Sequence, residues 1–192
     1  VDLARFLIGD IESVNCMTAN FITERVLPDE AASGTFSGTA GDTGKKGKVT
    51  VEDAAFMTVK FENGALGSFE TSRFAPGRKN YNYFEIYGSK GSLLFNLERM
   101  NELQYYNRED PDYQQGFKTI LATEGVHKYI PAWWPPGHMI GYEHEFHHAV
   151  VDFMEAIDKG QDMRPNFRDG MREIEVLEAG LKSAVEGREI KL

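Results

Sequence analysis

The strongest constraint on this chain is a hairpin written into residues 53–73. Ala55, Met57, Val59 and Phe61 alternate with Phe56, Thr58 and Lys60, the period of two that suits a strand with one buried face. Asn63-Gly64 then supplies two residues that tolerate positive φ in a tight turn, and Ala65 to Arg73 returns. A second hairpin follows, with Tyr83 to Tyr87, a turn through Gly88-Ser89-Lys90-Gly91, and Ser92 to Asn96. Residues 11–22 lack a helical period and carry β-branched side chains. Glu102 to Asn107 and Phe117 to Ala122 read as further strands. Short strands joined by turns leave no room for the long crossovers of a parallel sheet, so the pattern predicts an antiparallel one.

Helices flank this meander. Val1 to Leu7 (V-D-L-A-R-F-L) reads as the last two turns of a helix, with Leu3, Phe6 and Leu7 at helical spacing and Gly9 just past its end. It shows no N-cap and no first turn, which suggests that residues upstream are missing from this sequence. Across 140–158, Phe146, Ala149, Val150, Phe153 and Ile157 mark one face, and Gly160 ends it. Across 169–186, Ile174, Leu177, Leu181, Ala184 and Val185 mark another, with Asp169 as candidate N-cap and Gly187 as terminator. Arg188 to Leu192 reads as a short final strand.

The predicted fold class is therefore α+β: a predominantly antiparallel, open-faced sheet with helices packed on one face, in a single domain over residues 1–192. Strands 53–73 and 83–96 carry apolar residues on both alternating sets, Phe56 and Phe84 among the second. That predicts homo-oligomerisation through the open face, two sheets meeting in a two-fold dimer.

With 192 residues and 41% hydrophobic content the chain can bury a core of its own. A net charge of −9 and a pI near 5.1 argue against nucleic acid and anionic membranes as partners. No apolar run approaches the ~18 residues of a membrane span. The single Cys16 excludes an internal disulfide and suits a reducing compartment, so a cytoplasmic location is expected. Residues 33–48 are glycine-dense and polar and read as a mobile loop. They contain neither G-x-G-x-x-G nor G-x-x-x-x-G-K-[ST], so nothing predicts a phosphate cradle there.

Three stretches carry chemistry. His144-Glu145-Phe146-His147-His148 fits H-E-x-x-H, in which two histidines one turn apart hold zinc. At about 100° per residue, His144 and His148 fall opposite the Phe146/Val150/Phe153/Ile157 face, so they are expected to point away from the packed side of their helix. A catalytic zinc also needs a third ligand, and no histidine follows. The prediction is no metal site and a solvated or site-edge histidine pair. Tyr129 to His138 places Trp133 and Trp134 in a proline-stiffened loop ending in His138. Indole rings suit the apolar face of a sugar, and equally suit a plug at the end of a core. Arg73 closes a strand, where its forked donors suit carboxylates or hydroxyls, or a structural ion pair. Gly88-Ser89-Lys90-Gly91 lies between two strands and reads as a turn, not a phosphate loop.

Four segments resemble the C-terminal domain of the glucose–fructose oxidoreductase/inositol dehydrogenase (Gfo/Idh/MocA) family. They are the opening D-L-A-R-F-L-I-G-D, the strand V-E-D-A-A-F-M-T-V-K-F-E-N-G-A-L-G-S-F-E-T-S-R, the hairpin F-E-I-Y-G-S-K-G-S-L, and the tail P-N-F-R-D-G…E-A-G-L-K-S-A-V-E-G. The resemblance implies an antiparallel sheet that pairs with another subunit. It also implies NAD(P)-dependent oxidation or reduction of sugars, polyols or related compounds. The family's Rossmann domain, with its dinucleotide fingerprint and Glu-Lys-Pro motif, has no match here. Its catalytic histidine lies three positions before the aspartate that matches Asp2, which places it upstream of Val1.

The resemblance implies that in a parent enzyme hydride passes between a substrate C–H and the nicotinamide, and a hydroxyl proton passes to that histidine, oriented by a neighbouring carboxylate. Asp2 is the candidate for this catalytic carboxylate. Arg73, Trp133, Trp134, His138 and Tyr142 are candidates for the substrate side from residue chemistry and loop position. NAD or NADP is expected in the full-length enzyme and neither is expected to bind this chain alone, which predicts no turnover by the chain in isolation. The competing reading is a stand-alone, non-catalytic module that binds a carbohydrate or a protein through its open sheet.

Overall fold

A computed structural model describes residues 1–28 and 42–192. In chain order the elements are α1 (Asp2–Leu7), β1 (Ile11–Ala19), β2 (Glu24–Pro28), β3 (Asp42–Lys48), β4 (Ala54–Phe61) and β5 (Leu66–Ser72). There follow β6 (Tyr83–Tyr87), β7 (Gly91–Asn96), β8 (Glu102–Asn107), β9 (Lys118–Leu121), α2 (Tyr142–Lys159), α3 (Phe167–Glu186) and β10 (Ile190–Lys191). The described strands pair antiparallel throughout, in sheets ordered β10-β1-β4-β5, β2-β3 and β6-β7-β8-β9. This is the α+β class that the strand and helix pattern predicts. The chain divides into two compact units, residues 1–75 with 164–192, and residues 76–163.

The first unit is built on the 53–73 hairpin. Gly64 takes φ +87° in its turn, and Asn63 steadies the turn by accepting the Ala65 N–H at 3.0 Å. Alternation along β4 works as expected: Met57, Val59 and Phe61 are buried while Phe56, Thr58 and Lys60 face out. The inner face meets α3 through small residues. Val176, Ala179, Gly180 and Ser183 are buried against β1 and β4, and a Cβ at Gly180 would stand only 3.2 Å from Met57 Sδ. Ser183 does the work of a strand partner: its Oγ accepts the Cys16 N–H at 2.9 Å and donates to the Arg188 carbonyl at 2.7 Å.

Several sequence expectations need correction here. Of the stripe expected on α3 only Ala184 packs on the core, because Ile174, Leu177 and Leu181 are about half exposed and Val185 is 88% exposed. Small residues win the interface since they let the helix axis approach the sheet. The N-cap is Asn166, not Asp169. Asn166 Oδ1 accepts from the Arg168 and Asp169 N–H groups, while Asp169 Oδ2 accepts from the Asn166 N–H, a reciprocal capping box. Asp42–Lys48 is a strand paired with β2, so the part of the 33–48 stretch within the described residues is not loop; 33–41 lies outside them. The outer face of β4-β5 is mixed rather than apolar, with Phe56 standing opposite Glu70 and Thr58 opposite Ser68.

In the second unit, β6 to β9 form a meander. Gly91 opens β7 where a Cβ would sit 2.3 Å from the Tyr106 carbonyl oxygen, so the Gly88-Ser89-Lys90-Gly91 turn demands glycine for close strand approach. Asn101, 9% exposed, ties the sheet to the entrance of α2: its side-chain amide donates to the Ile140 carbonyl at 2.9 Å and accepts the Ile140 N–H at 3.1 Å.

Candidate functional site

The second unit holds a cleft of about 660 Å³ between α2 and the segment that precedes it. That segment is fixed from below. Ile130 is 2% exposed and opens a short 3-10 turn, Ile130–Ala132, in which Pro131 supplies a preset φ. The Trp133 N–H donates back to the Ile130 carbonyl at 2.9 Å, and Gly137 donates to the Thr123 carbonyl at 3.2 Å. Tyr129 and Trp133 are thereby presented to α2.

The face of α2 that receives them is polar. Its buried or half-buried residues are His144, His148, Asp152 and Ala156, one every turn. The Trp133 indole N–H donates to His148 Nε2 at 2.8 Å. Its ring stands edge-on to His144 and His147, with centroids 4.3 and 5.4 Å apart. The Tyr129 ring stacks on His148 at 4.0 Å and 9°. Tyr129 Oη donates to Asp152 Oδ2 and Lys128 Nζ to Asp152 Oδ1, each at 2.6 Å. His144 turns its Nδ1 to the Gly141 N–H, 3.0 Å away, satisfying the start of the helix.

These contacts reverse the expectation for this helix. His144 and His148 sit on the packed side, while Phe146, Val150, Phe153 and Ile157 are more than half exposed. The reason is complementarity of donors. A loop offering an indole N–H, a phenol and an ammonium needs acceptors, which aliphatic side chains cannot provide. One nitrogen of each ring, His144 Nδ1 and His148 Nε2, is held by an N–H donor. Among the described residues no cluster of three or more His, Cys, Asp or Glu is placed to hold a metal ion.

The electrostatics follow from this packing. Burial, helped by the neighbouring His144, lowers the pKa of His148, countered by the Asp152 charge. An indole N–H can only donate, so His148 Nε2 is unprotonated and the neutral ring carries its proton on Nδ1. Hydrogen bonds from Lys128 and Tyr129 hold the Asp152 carboxyl below the usual range. The same carboxylate raises Lys128, whereas Tyr129 is raised first by burial and then by its bond to Asp152.

Tyr129 and Trp133 form the aromatic wall of the cleft. Phe146, Val150 and Val151 line its apolar part, with Lys128, His147 and Glu155 at polar positions. An apolar platform with a few donors and acceptors beside it can take a small polyhydroxylated ring, one face on the indole and hydroxyls on the polar groups.

Of the residues expected at a site, Trp133 is the one that lines this cleft. Tyr142 opens α2, 55% exposed, with its ring against Phe146 at 5.4 Å. Trp134 and His138 stack on one another at 6.4 Å outside the cleft lining, and His138 Nδ1 lies 3.0 Å from the Pro135 carbonyl. Asp2 and Arg73 belong to the first unit. Arg73 follows β5, its backbone N–H on the Asp53 carbonyl at 2.8 Å and its side chain exposed. Asp53 itself accepts the Phe21 and Ile22 N–H groups, and these bonds lower its pKa. Asp2 is half-buried beside Glu173 of α3, whose carboxyl is raised by burial and by the Asp2 charge and hydrogen bond. Sequence reasoning did not single out Lys128, Tyr129 or Asp152, and it named His148 as a site-edge histidine but on the wrong face of its helix. The i, i+4, i+8 spacing of His144, His148 and Asp152 was the available signal.

A family model described as the oxidoreductase family, C-terminal alpha/beta domain, matches residues 1–192. The chain belongs to the Gfo/Idh/MocA oxidoreductase family, as that domain. Among its relatives is levoglucosan dehydrogenase of Pseudarthrobacter phenanthrenivorans, 38% identical over 96% of this chain and 47% of the relative. Among solved structures, an oxidoreductase domain protein from Kribbella flavida superposes with a TM-score of 0.87 at 44% identity, over 100% of this chain and 47% of that one. Levoglucosan dehydrogenase in complex with NADH and levoglucosan gives 0.85 at 34% identity, over 100% of this chain and 47% of that one. The chain spans about half the length of the curated relatives it matches.

Proposed function

We propose that this chain is the substrate-binding and oligomerisation domain of an NAD(P)-dependent oxidoreductase acting on a sugar, polyol or related compound. The cleft walled by Tyr129 and Trp133 carries the reading, supported by a relative whose structure holds levoglucosan. In this assignment Trp133 is the platform for the sugar's apolar face, and Lys128, His147 and Glu155 meet its hydroxyls. Asp2 is the carboxylate that orients the proton-transfer group of the whole enzyme. Arg73, Trp134, His138 and Tyr142 remain candidates for the substrate side.

Two places in the fold support assigning the dinucleotide elsewhere. The glycine-bearing turn at 88–91 joins two strands instead of feeding a helix, and the α3 N-terminus is already occupied by the Asn166–Asp169 box. The cofactor is assigned to a part of the enzyme outside this chain, and the chain alone to binding without turnover. Single-domain behaviour over 1–192 and a cytoplasmic location complete the assignment. Among the described residues no helix is long and apolar enough to cross a membrane.

Self-association is assigned to one face of the β6–β9 meander. Phe84 pairs with Phe95, Ile86 with Leu93, and Leu103 stands opposite both Phe95 and Ile120, so these side chains share a face. A second copy laid on it would cover that apolar surface, and sedimentation equilibrium at micromolar concentration reads the outcome: a dimer supports the assignment and a monomer of 21.7 kDa overturns it.

The test of the site is calorimetric titration with levoglucosan. Binding by the chain, weakened about tenfold by Trp133→Ala, supports the assignment. Equal binding by both proteins rejects the cleft, and micromolar binding of NAD or NADP to this chain rejects the division of labour.

A further inference from the structure

We propose that His148 is a positioning residue: as a neutral acceptor at Nε2 it fixes the Trp133 indole against α2, and protonating it releases the ring. The proposal rests on the reading of Trp133 as the sugar platform, but the hold itself is measurable without any sugar. Three contacts converge on one imidazole. Trp133 Nε1 lies 2.8 Å from His148 Nε2, the Tyr129 ring covers the imidazole face at 4.0 Å, and Asp152, which anchors the Tyr129 hydroxyl, stands one turn further along α2. An indole N–H has no other role than donor, so its orientation depends on the acceptor being unprotonated. An imidazolium at the same place would present a second N–H to the first, and the two donors repel.

The groups facing His148 set where this happens. From its own helix come His144, His147, Glu145 and Asp152; from the preceding segment come Tyr129, Trp133 and Lys128, the last paired with Asp152. Burial and the two histidines oppose protonation, and the two carboxylates favour it, with the balance below the ordinary value near 6.5. Trp133 is therefore held at neutral pH and released only as the pH falls below that ordinary value. A histidine that served only as filler would leave the indole unmoved by its titration.

The chain has two tryptophans, so its nitrogen–proton spectrum contains two indole signals, and Trp134→Phe identifies the one from Trp133. At about pH 8 this proton is expected to be protected from exchange relative to a free indole, and as the pH falls below about 6.5 its signal should shift and that protection should drop in step with the His148 ring. His148→Gln places an amide oxygen where Nε2 accepts but does not titrate. It should keep the slow-exchanging signal and abolish its acid shift. His148→Ala should speed exchange about tenfold or more at both pH values. An acid shift that survives in His148→Gln, or an indole proton unaffected by His148→Ala, overturns the proposal, and the glutamine variant decides it alone should the alanine variant not fold. Titration with levoglucosan separates the two readings. If Trp133→Ala binds it unchanged, the platform assignment fails, while the indole spectrum still decides whether His148 holds the ring.

Discussion

The helices α3 and α2 carry the same outward pattern, a bulky apolar stripe at helical spacing, and neither buries it as its packed face. In the first unit α3 lays Val176, Ala179, Gly180 and Ser183 on β1 and β4. In the second, α2 turns His144, His148 and Asp152 to a loop of aromatic and cationic groups. The first interface is closed by shape, since small side chains permit close approach to the sheet, with one buried serine bonded across it. The second is closed by matched donors and acceptors, and it leaves a cleft. A close-packed interface resists substitution by volume, and a polar one resists it by charge state.

The comparison breaks most easily at the first unit's core. Phe61, 1% exposed, is the largest fully buried side chain, and Phe61→Ala should cost roughly 3–5 kcal/mol in urea unfolding. A loss below about 1 kcal/mol would mean that β4 and α3 are loosely joined. Ser183→Ala removes the acceptor for the Cys16 N–H and should cost about 1–3 kcal/mol, although it deletes a single oxygen. Were packing alone to hold this interface, the same change would be nearly neutral.

The second unit should instead respond to pH. The His148 pKa is lowered in the folded state, so the unfolded chain binds the proton more strongly. Stability is then full above the unfolded value near 6.5 and falls as pH drops through 6.5 toward the lower folded value. His148→Gln should flatten that part of the stability profile, and an unchanged slope would mean that other groups carry it. The smallest effect is expected at Val185, 88% exposed, where Val185→Lys should stay within about 0.5 kcal/mol. A larger loss would return the bulky stripe of α3 to the core.

Legibility in the sequence followed the range of the contacts. The Asn63-Gly64 hairpin was readable because turn and strands lie together, and Met57, Val59 and Phe61 fall inside as their alternation requires. Strand β3 was not readable, since D-T-G-K-K-G-K has no apolar alternation and a single β-branched residue, and it owes its state to pairing with β2. The helices were readable as helices, but their packed faces were not, because a period reports a stripe without naming its partner. At the site, Trp133 was legible from residue type alone. His148 was legible as a site-edge histidine but its partner was not, since the contact with Trp133 spans fifteen residues of sequence.

Trp133 lines the cleft of the second unit, and its proposed role as the sugar platform can be read from its own indole signal. Following the two indole signals while the sugar is titrated into the chain tests it most directly. A saturable shift of the Trp133 signal, lost together with binding in Trp133→Ala, is the predicted result. Saturating sugar that leaves the Trp133 signal in place would contradict it.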